Sequence, residues 1–418
     1  MKRKRLPQII AIIVLSILLI NCKKTTESGN NWGEADLTSF VAIGNSLTAG
    51  VADAALYEDV QKNSFPKLVA DAAGISDFEQ PLMGDTGYSF KEEEGRLSLN
   101  IFVDPPSIDF LPAGNEKNRD LNRAYNNLGI PLIRANQVYT TKTPAQANDN
   151  HFVDKILRNS GHTQIQEALS LNPTLITLWV GNNDVLEAAS LGLADENYPY
   201  TDPNDFEDDL TAIINELTNG TDAPILIANI FDLTDLPYFS SLPSEITFME
   251  TNKYLFGECE NGVRKLTDDD LVLYWALPEY LTLKDSTEFP GNISENTALN
   301  DTLILDKTEK TKIQNVIDDY NDIIQTLTSQ NTQLYLVDIY SLFKDIDANG
   351  YDIGGINYSN DLITFDENGV ININLLNTLF SYDGLHPNQN GYLSIANTFI
   401  DKINSVFKAD LPSAKLNN

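Results

Sequence analysis

The first residues with a chemical use lie in Gly44-Asn45-Ser46-Leu47, directly after the apolar run at residues 39–43 of this 418-residue chain. A serine on the turn between a strand and a helix directs its hydroxyl into a crevice, near a helix N-terminus that favours developing negative charge. Such a serine could act as a nucleophile. A turn glycine followed by a helix-capping serine gives the same pattern, so this motif alone leaves both interpretations open.

The second motif, Gly181-Asn182-Asn183-Asp184, follows the strongest strand signal in the chain, residues 174–180. A side-chain amide in this position can donate a hydrogen bond into the crevice, and Gly181 permits a tight turn. The simpler alternative is that Asn and Asp form the turn and cap the next helix.

The third motif, Asp383-Gly384-Leu385-His386-Pro387, contains one of three histidines, the others being His151 and His162. Ester hydrolysis by a serine needs a base that titrates near neutrality, and histidine supplies it. Only His386 has a carboxylate three residues before it. This spacing lets Asp383 reach one imidazole nitrogen and leaves the other free for a substrate-side proton. The alternative is an Asp-Gly turn followed by a surface histidine.

Together, the three motifs resemble those of the SGNH (GDSL) hydrolase family in type, order and strand context. The resemblance implies that Ser46 is the nucleophile, His386 the general base, and Asp383 the residue that orients His386. It also implies an acyl-enzyme mechanism that requires no metal and no organic cofactor. The usual Asp before the nucleophile is Asn45 here, which changes the local charge.

The same resemblance implies an oxyanion site. Asn183 would donate its side-chain amide, and the backbone N–H of Ser46 would join it. The family adds a backbone N–H from a glycine in a loop after the second strand. Within residues 80–87 we assign this role to Gly84, with Gly87 as the runner-up.

The wider pattern predicts the fold. Continuous apolar strands alternating with helices indicate a parallel sheet covered on both faces, with the chemistry at the carboxyl ends of its strands. We therefore expect an α/β fold with a mostly parallel central sheet, and the resemblance to the family implies an SGNH-like three-layer α/β/α sandwich. Predicted strands are residues 39–43, 174–180, 224–230 and 333–338, and predicted helices are residues 65–73, 152–170, 205–217, 307–329 and 389–407.

The distances between the motifs predict long insertions. Ser46 and Asn183 are 137 positions apart, and Asn183 and Asp383 are 200 apart, which is more than a compact domain of this family needs. We expect insertions near residues 88–150 and 235–300, around the mouth of the site. The hydrolase domain would span residues 37–410, followed by a tail at 411–418.

The N-terminal residues predict a targeting signal. A basic start at residues 2–5 and an apolar run at 6–20 have the layout of a secretory signal. Leu19-Ile20-Asn21-Cys22 resembles a bacterial lipobox, which implies a signal peptide at 1–21, lipidation at Cys22 and a flexible tether at 22–36. The expected location is the bacterial cell envelope, as an outer-membrane lipoprotein held by its lipid anchor.

Composition excludes several classes. The formal charge of −32, from 28 Lys+Arg and 60 Asp+Glu, disfavours nucleic acid as a partner. Two cysteines exclude a disulfide scaffold and a cysteine-rich metal site. Cys259 is expected to be a small buried hydrophobe. Residues 345–350 resemble half of a calcium loop but lack the Glu expected at its twelfth position, so we expect an ordinary turn and no metal site.

The expected function is that of a lipid-anchored serine hydrolase that cleaves carboxylic esters, esterase-like or lipase-like, on a small-molecule or glycan substrate. Two alternatives use the same triad, a carbohydrate O-acetylesterase and an acyltransferase in which a sugar hydroxyl replaces water. A third alternative is a non-catalytic surface-binding lipoprotein.

Overall fold

The computed structural model describes residues 31–100, 107–159, 161–193, 200–248, 251–285, 297–365, 371–374 and 376–417. The predicted signal peptide, Cys22 and most of the predicted tether lie outside the described residues. Within these ranges, none of the helices has both the length and the apolar character that a membrane span requires.

The strands are short, and most belong to hairpins. In chain order they are β1 (Phe40–Gly44), β2 (Ala55–Leu56), β3 (Tyr88–Ser89), β4 (Glu94–Asn100), β5 (Ser107–Pro112), β6 (Leu175–Trp179), β7 (Ile225–Ala228), β8 (Glu245–Phe248), β9 (Thr251–Tyr254), β10 (Phe256–Cys259), β11 (Gly262–Lys265), β12 (Leu271–Val272), β13 (Ile304–Leu305), β14 (Leu334–Val337), β15 (Tyr351–Ile353), β16 (Ile356–Tyr358), β17 (Ile363–Phe365) and β18 (Ile371–Ile373).

The helices range from one turn to more than six. In chain order they are α1 (Ser46–Ala49), α2 (Glu58–Gln61), α3 (Phe65–Ala72), α4 (Ala135–Thr140), α5 (Phe152–Ile156), α6 (Gln164–Ser170), α7 (Asn182–Ser190), α8 (Pro203–Gly220), α9 (Pro237–Ser240), α10 (Leu277–Asp285), α11 (Lys307–Gln330), α12 (Ile339–Asn349) and α13 (Gln389–Phe407).

The central sheet has the order β1-β6-β7-β14, and its strands are parallel. β1, β6 and β7 are buried along their whole length, as their continuous apolar sequences require. The predicted α/β fold with a parallel central sheet is confirmed. The parallel arrangement places Gly44 and Trp179, the last residues of β1 and β6, side by side. The first two motifs therefore begin at the same edge of the sheet.

A further segment lies along the open side of β1. The Ala42 N–H donates to the Asn126 carbonyl (2.8 Å), and the N–H groups of Leu128 and Ile130 donate to Ala42 and Gly44 (both 2.9 Å). Residues 126–130 thus extend the sheet at its β1 edge. This stretch lies within the insertion expected near residues 88–150. Its pairing with β1 was not predicted, because it carries polar Asn residues and has no apolar run of strand length.

Two groups of helices cover the sheet. On one face Trp179 packs edge-on against Phe65 of α3 (5.8 Å between ring centroids), and Tyr335 packs against Phe407 of α13 (5.5 Å). In the second group, α6 packs against β1, α11 packs against β14, and α8 packs against both helices. The predicted helix 152–170 is two helices, α5 and α6. A capping box at Thr163 starts the second of them.

Residues 235–300 contribute a second, smaller hydrophobic cluster. Cys259 lies in it with 7% exposure, so the prediction of a small buried side chain is confirmed. Burial raises the pKa of its thiol to about 11. The cluster consists of Leu242, Leu255, Cys259, Leu266, Val272, Ala276, Tyr280, Leu299 and Ile304. The expectation of an ordinary turn at residues 345–350 is wrong, because α12 continues through this stretch up to Asn349 and Gly350, with φ 73°, terminates the helix.

Candidate active site

Ser46 begins α1 immediately after β1 and is 4% exposed. A Cβ atom at Gly44 would lie 2.6 Å from the Trp179 carbonyl oxygen, so only glycine fits at the end of this strand. Asn45 caps the helix, because its side-chain oxygen accepts from the Leu47 N–H (3.0 Å). Its Nδ2 donates to the Asn182 side chain (3.1 Å), which connects the first and second motifs.

The three side chains predicted to act together are in contact. His386 Nε2 lies 3.0 Å from Ser46 Oγ, and His386 Nδ1 lies 2.9 Å from Asp383 Oδ2. All three residues are at most 4% exposed. These distances are within the range for direct proton transfer between a hydroxyl and an imidazole that a carboxylate orients.

Asp383 is held by donors on both oxygens. Its Oδ1 accepts from the backbone N–H groups of His386 (2.8 Å) and Leu385 (2.9 Å) and from the Ser381 hydroxyl (3.1 Å). Its Oδ2 accepts from the Ala54 N–H (2.7 Å) as well as from His386. Burial alone would raise the pKa of Asp383, but the neighbouring His386 and these hydrogen bonds hold that pKa below its ordinary value. The carboxylate therefore stays ionised in a buried position.

The turn at Asp53 and Ala54 supplies one of these donors and is absent from the predicted site. Both residues are in the left-handed region, with φ of 51° and 59°. The Asp53 N–H donates to Ser381 Oγ (2.8 Å), and its carboxylate accepts from the Tyr382 N–H (3.0 Å) and the Tyr57 hydroxyl (2.7 Å). Burial raises the pKa of Asp53. No sequence signal marks the contact with the third motif, because Ser381, Tyr382 and Asp383 lie more than 300 positions away.

Asn183 lies in the first turn of α7, which follows β6. Gly181, with φ 104°, makes the turn, and a Cβ there would lie 2.6 Å from Ile230 Cδ1. One hydrogen of the Asn183 amide is donated to the Ile133 carbonyl (2.9 Å). The second hydrogen of the same nitrogen has no protein acceptor among the described residues and is available to a bound oxygen.

Gly84 is not part of this site. Its N–H donates to the Asn115 carbonyl (2.7 Å), and the N–H of Gly87 donates to the Gly84 carbonyl (2.9 Å), so both candidate amides are already used. Neither glycine lines the cavity at Ser46. The assignment is wrong because the segment that reaches the β1 edge of the sheet is residues 126–130, later in the chain than the loop we chose.

The continuation of that segment reaches the site at Leu132. This residue has φ 65°, is 48% exposed, and lines the cavity together with Ser46, Asn183 and His386. Among the described residues, its N–H has no hydrogen-bond acceptor. The signal that could have found it is the Gly129-Ile130-Pro131 turn. A left-handed conformation at a leucine is a strained one, and such strain is concentrated at functional sites.

Two cavities meet at Ser46. The larger has a volume of about 440 Å³, and the smaller about 20 Å³; both are lined by Ser46, Asn183, Leu186, Leu385 and His386. Another cavity of about 500 Å³, between residues 278–282 and 297–303, contains none of the motif residues. Among the described residues, no group of three or more His, Cys, Asp or Glu could hold a metal ion.

At the carboxyl edge of the parallel sheet the structure thus places a buried Ser46, His386 and Asp383 in one hydrogen-bonded chain. The chain belongs to the GDSL-like Lipase/Acylhydrolase family, whose model matches residues 40–399. It is therefore a carboxylic ester hydrolase. A comparison with curated protein sequences finds no match.

Solved structures resemble the chain at low identity. LAE5, an alpha/beta hydrolase enzyme from the metagenome of Lake Arreo in Spain, is 11% identical with a TM-score of 0.38, over 88% of this chain and 96% of its own. A family 3 carbohydrate esterase of Clostridium thermocellum is 13% identical (TM-score 0.32, 88% and 96%). A possible lipase of Chitinophaga pinensis DSM 2588 is also 13% identical (TM-score 0.31, 88% and 98%). At these TM-scores the family match, not these structures, carries the assignment.

Proposed function

We propose that the protein hydrolyses carboxylic esters through an acyl-enzyme intermediate on Ser46. The observation that carries the proposal is the continuous hydrogen-bonded chain Ser46–His386–Asp383. His386 removes the proton of Ser46 as its oxygen attacks the ester carbonyl. The leaving alcohol takes that proton from His386, and a water molecule activated by His386 then releases the acid.

The oxyanion of the tetrahedral intermediate needs donors beside Ser46. We assign this role to the free hydrogen of the Asn183 amide, the backbone N–H of Ser46, and the backbone N–H of Leu132 in place of Gly84. One such donor contributes about 3–4 kcal/mol to transition-state stabilisation. Asp383 remains ionised, fixes the tautomer of His386, and stabilises the imidazolium that forms.

Replacing either reacting side chain tests the proposal. Ser46→Ala and His386→Ala are each expected to lower kcat for nitrophenyl acetate by on the order of 10³-fold or more, with circular dichroism unchanged. A fluorophosphonate probe should label the wild type and not Ser46→Ala. The matched controls are Ser329→Ala and His162→Ala, which keep full activity. Near wild-type turnover in Ser46→Ala would refute the mechanism, whereas a wild type with neither turnover nor probe labelling would favour the non-catalytic alternative.

The location of the enzyme is a second part of the proposal. The basic start, the short apolar run and Cys22 support export and lipid anchoring in the bacterial envelope. In cells given an alkyne-tagged palmitate, the full chain should become labelled and fractionate with membranes. Cys22→Ser should abolish the label, whereas Cys259→Ser should keep it. A label that survives Cys22→Ser would exclude this site of attachment.

A further inference from the structure

The two cavities beside Ser46 differ in size and chemistry, and this difference indicates which part of an ester each one accepts. Apart from the residues that they share, the smaller cavity is lined by Leu47, Asn182, Phe231, Leu233 and Leu236. A single water molecule needs roughly 10–15 Å³ of such space. The volume of about 20 Å³ therefore admits a group the size of one methyl and excludes an alkyl chain.

The walls of the smaller cavity are held firmly. Phe231 stacks on Phe343 at 4.3 Å and meets Trp179 edge-on at 6.1 Å. Leu233 and Leu236 are only 1% and 2% exposed. Because close-packed side chains of this kind do not move apart without losing contacts, the cavity cannot expand readily to take a longer chain.

The larger cavity carries polar groups opposite its apolar residues. Arg134 Nη2 donates to Glu187 Oε2 at 2.6 Å, so the cation there is already neutralised. His151 Nε2 lies 3.0 Å from the Ser89 carbonyl and is fixed as the donor, which leaves Nδ1 as an acceptor. The remaining polar lining residues are Gln137, Asn148, Asp149, Asn150 and Ser190. Apart from the Asp149 carboxylate, these groups are neutral donors and acceptors, and such groups around one cavity suit a ligand with several hydroxyl groups.

We propose that the natural substrate is an acetyl ester of a polyhydroxylated alcohol such as a sugar. This inference rests on the proposed hydrolase function. The acetyl methyl occupies the small apolar cavity, and the alcohol occupies the large one. Ser46 Oγ bonds to the acetyl carbon, the bond from that carbon to the alcohol oxygen breaks, and the alcohol oxygen takes its proton from His386. Water then cleaves acetyl-Ser46, and acetate leaves.

A series of acyl chains tests the acyl side on the wild-type enzyme. With nitrophenyl acetate, butyrate and octanoate, kcat/KM should fall by at least about tenfold from acetate to octanoate. Octanoate cleaved as fast as acetate would overturn the inference while leaving the ester-hydrolase proposal intact. No cleavage of any of these esters would overturn both.

Enlarging the small cavity tests whether it determines the preference for short acyl chains. Leu236→Ala should raise the ratio of butyrate to acetate turnover at least about fivefold, and Leu236→Val should do so to a smaller extent if the alanine variant is unstable. The matched control is Ser190→Ala, which alters only the large cavity and should leave the ratio unchanged. An unchanged ratio in a folded Leu236 variant would overturn the assignment.

The alcohol side is tested with acetylated glucose against ethyl acetate. The sugar ester should have a KM at least about tenfold lower, and His151→Ala should reduce that preference without changing the acyl-chain profile. Equal KM values for the two acetates would overturn the sugar assignment and leave the acetyl assignment standing.

Discussion

The segments at residues 88–150 and 235–300 both interrupt the regular α/β order, yet they differ in where their buried side chains pack. The first joins the main hydrophobic core and supplies a wall of the large cavity. The second touches the site near its start, at Leu236. From Leu242 onward most of its buried apolar side chains pack into their own cluster, and Leu273 and Tyr274 join the main core. The difference indicates that the first segment is part of the catalytic structure, whereas most of the second is a stable addition beside it.

The two segments also differ in backbone strain. Three residues of the first segment have left-handed φ angles, namely Leu132 (65°), Asn148 (52°) and Asp149 (58°), and all three line the large cavity. In the described part of the second segment, the residue with such an angle is a glycine, Gly262 (φ 98°). Strain of this kind persists only where surrounding contacts enforce it.

The largest expected effect on stability comes from replacing a buried leucine by alanine in each segment separately. Leu128 and Leu266 are both fully buried, the first in the main core and the second in the smaller cluster. Leu128→Ala and Leu266→Ala should each lower the free energy of unfolding by about 2–5 kcal/mol in urea titrations. Only Leu128→Ala should also lower kcat, by about tenfold, because Leu128 lies in the stretch that carries Leu132 to the site.

Activity must be measured per folded molecule, well below the midpoint of unfolding. A loss of kcat in Leu266→Ala equal to that in Leu128→Ala would show that the smaller cluster supports catalysis. The distinction between the two segments would then be wrong.

Two buried carboxylates, one in contact with the first segment and one within the second, allow the segments to be compared by the pH dependence of protein stability. Asp184 accepts from the N–H of Ala135, at the start of α4 (3.0 Å), and burial raises its pKa to about 6. In the second segment, burial of Asp270 is outweighed by the bidentate ion pair with Arg264 (2.7 and 2.8 Å), and the pKa is lowered to about 2. The two groups therefore affect stability in opposite directions.

The folded protein binds a proton at Asp184 more tightly than the unfolded chain does. The stability that this proton binding gives the folded state is lost as pH rises from about 4 to about 6. Each tenfold difference in proton affinity between the two states corresponds to about 1.4 kcal/mol, so the loss is on the order of 2–3 kcal/mol. The difference in unfolding free energy between wild type and Asp184→Asn should change by that amount across this range. The corresponding difference for Asp270→Asn should stay constant there, because its contribution is lost only as pH falls from about 4 to about 2. Equal pH profiles for both variants would contradict these assignments.

The sequence was sufficient to predict the buried strands and the three motifs at their ends, because apolar runs and turn glycines are local signals. The bounds of all four strands of the central sheet, β1, β6, β7 and β14, agree with the predicted runs to within one or two residues. The contact of Ser46 with His386 also agrees with the resemblance to the family. A parallel sheet brings the ends of its strands to one edge, so motifs that follow strands have a predictable location.

The remainder of the site depends on contacts that no local pattern encodes. The stretch at 126–130 pairs with β1 although it contains two asparagines. Gly84 was chosen because, followed by Asp85 and Thr86, it resembles the glycine of the family. Likewise, the turn at Asp53 and Ala54 acquires its role from Asp383 and Ser381, which are distant in sequence. Such features become visible only when the fold has brought the partners together.

The smallest expected effect concerns the strain at Leu132. Glycine adopts φ 65° without a steric penalty and keeps the N–H that we assign to the oxyanion, so Leu132→Gly should raise the free energy of unfolding by up to about 1 kcal/mol. Its kcat for nitrophenyl acetate should stay within about twofold of wild type, because the donor is retained. Ile356 is 49% exposed and lies in the strand β16, so Ile356→Gly should instead cost about 0.5–1 kcal/mol. Thermal denaturation of both variants measures the difference. Equal losses of stability at the two positions would mean that Leu132 is not strained, and the contrast in strain between the two segments would fail with it.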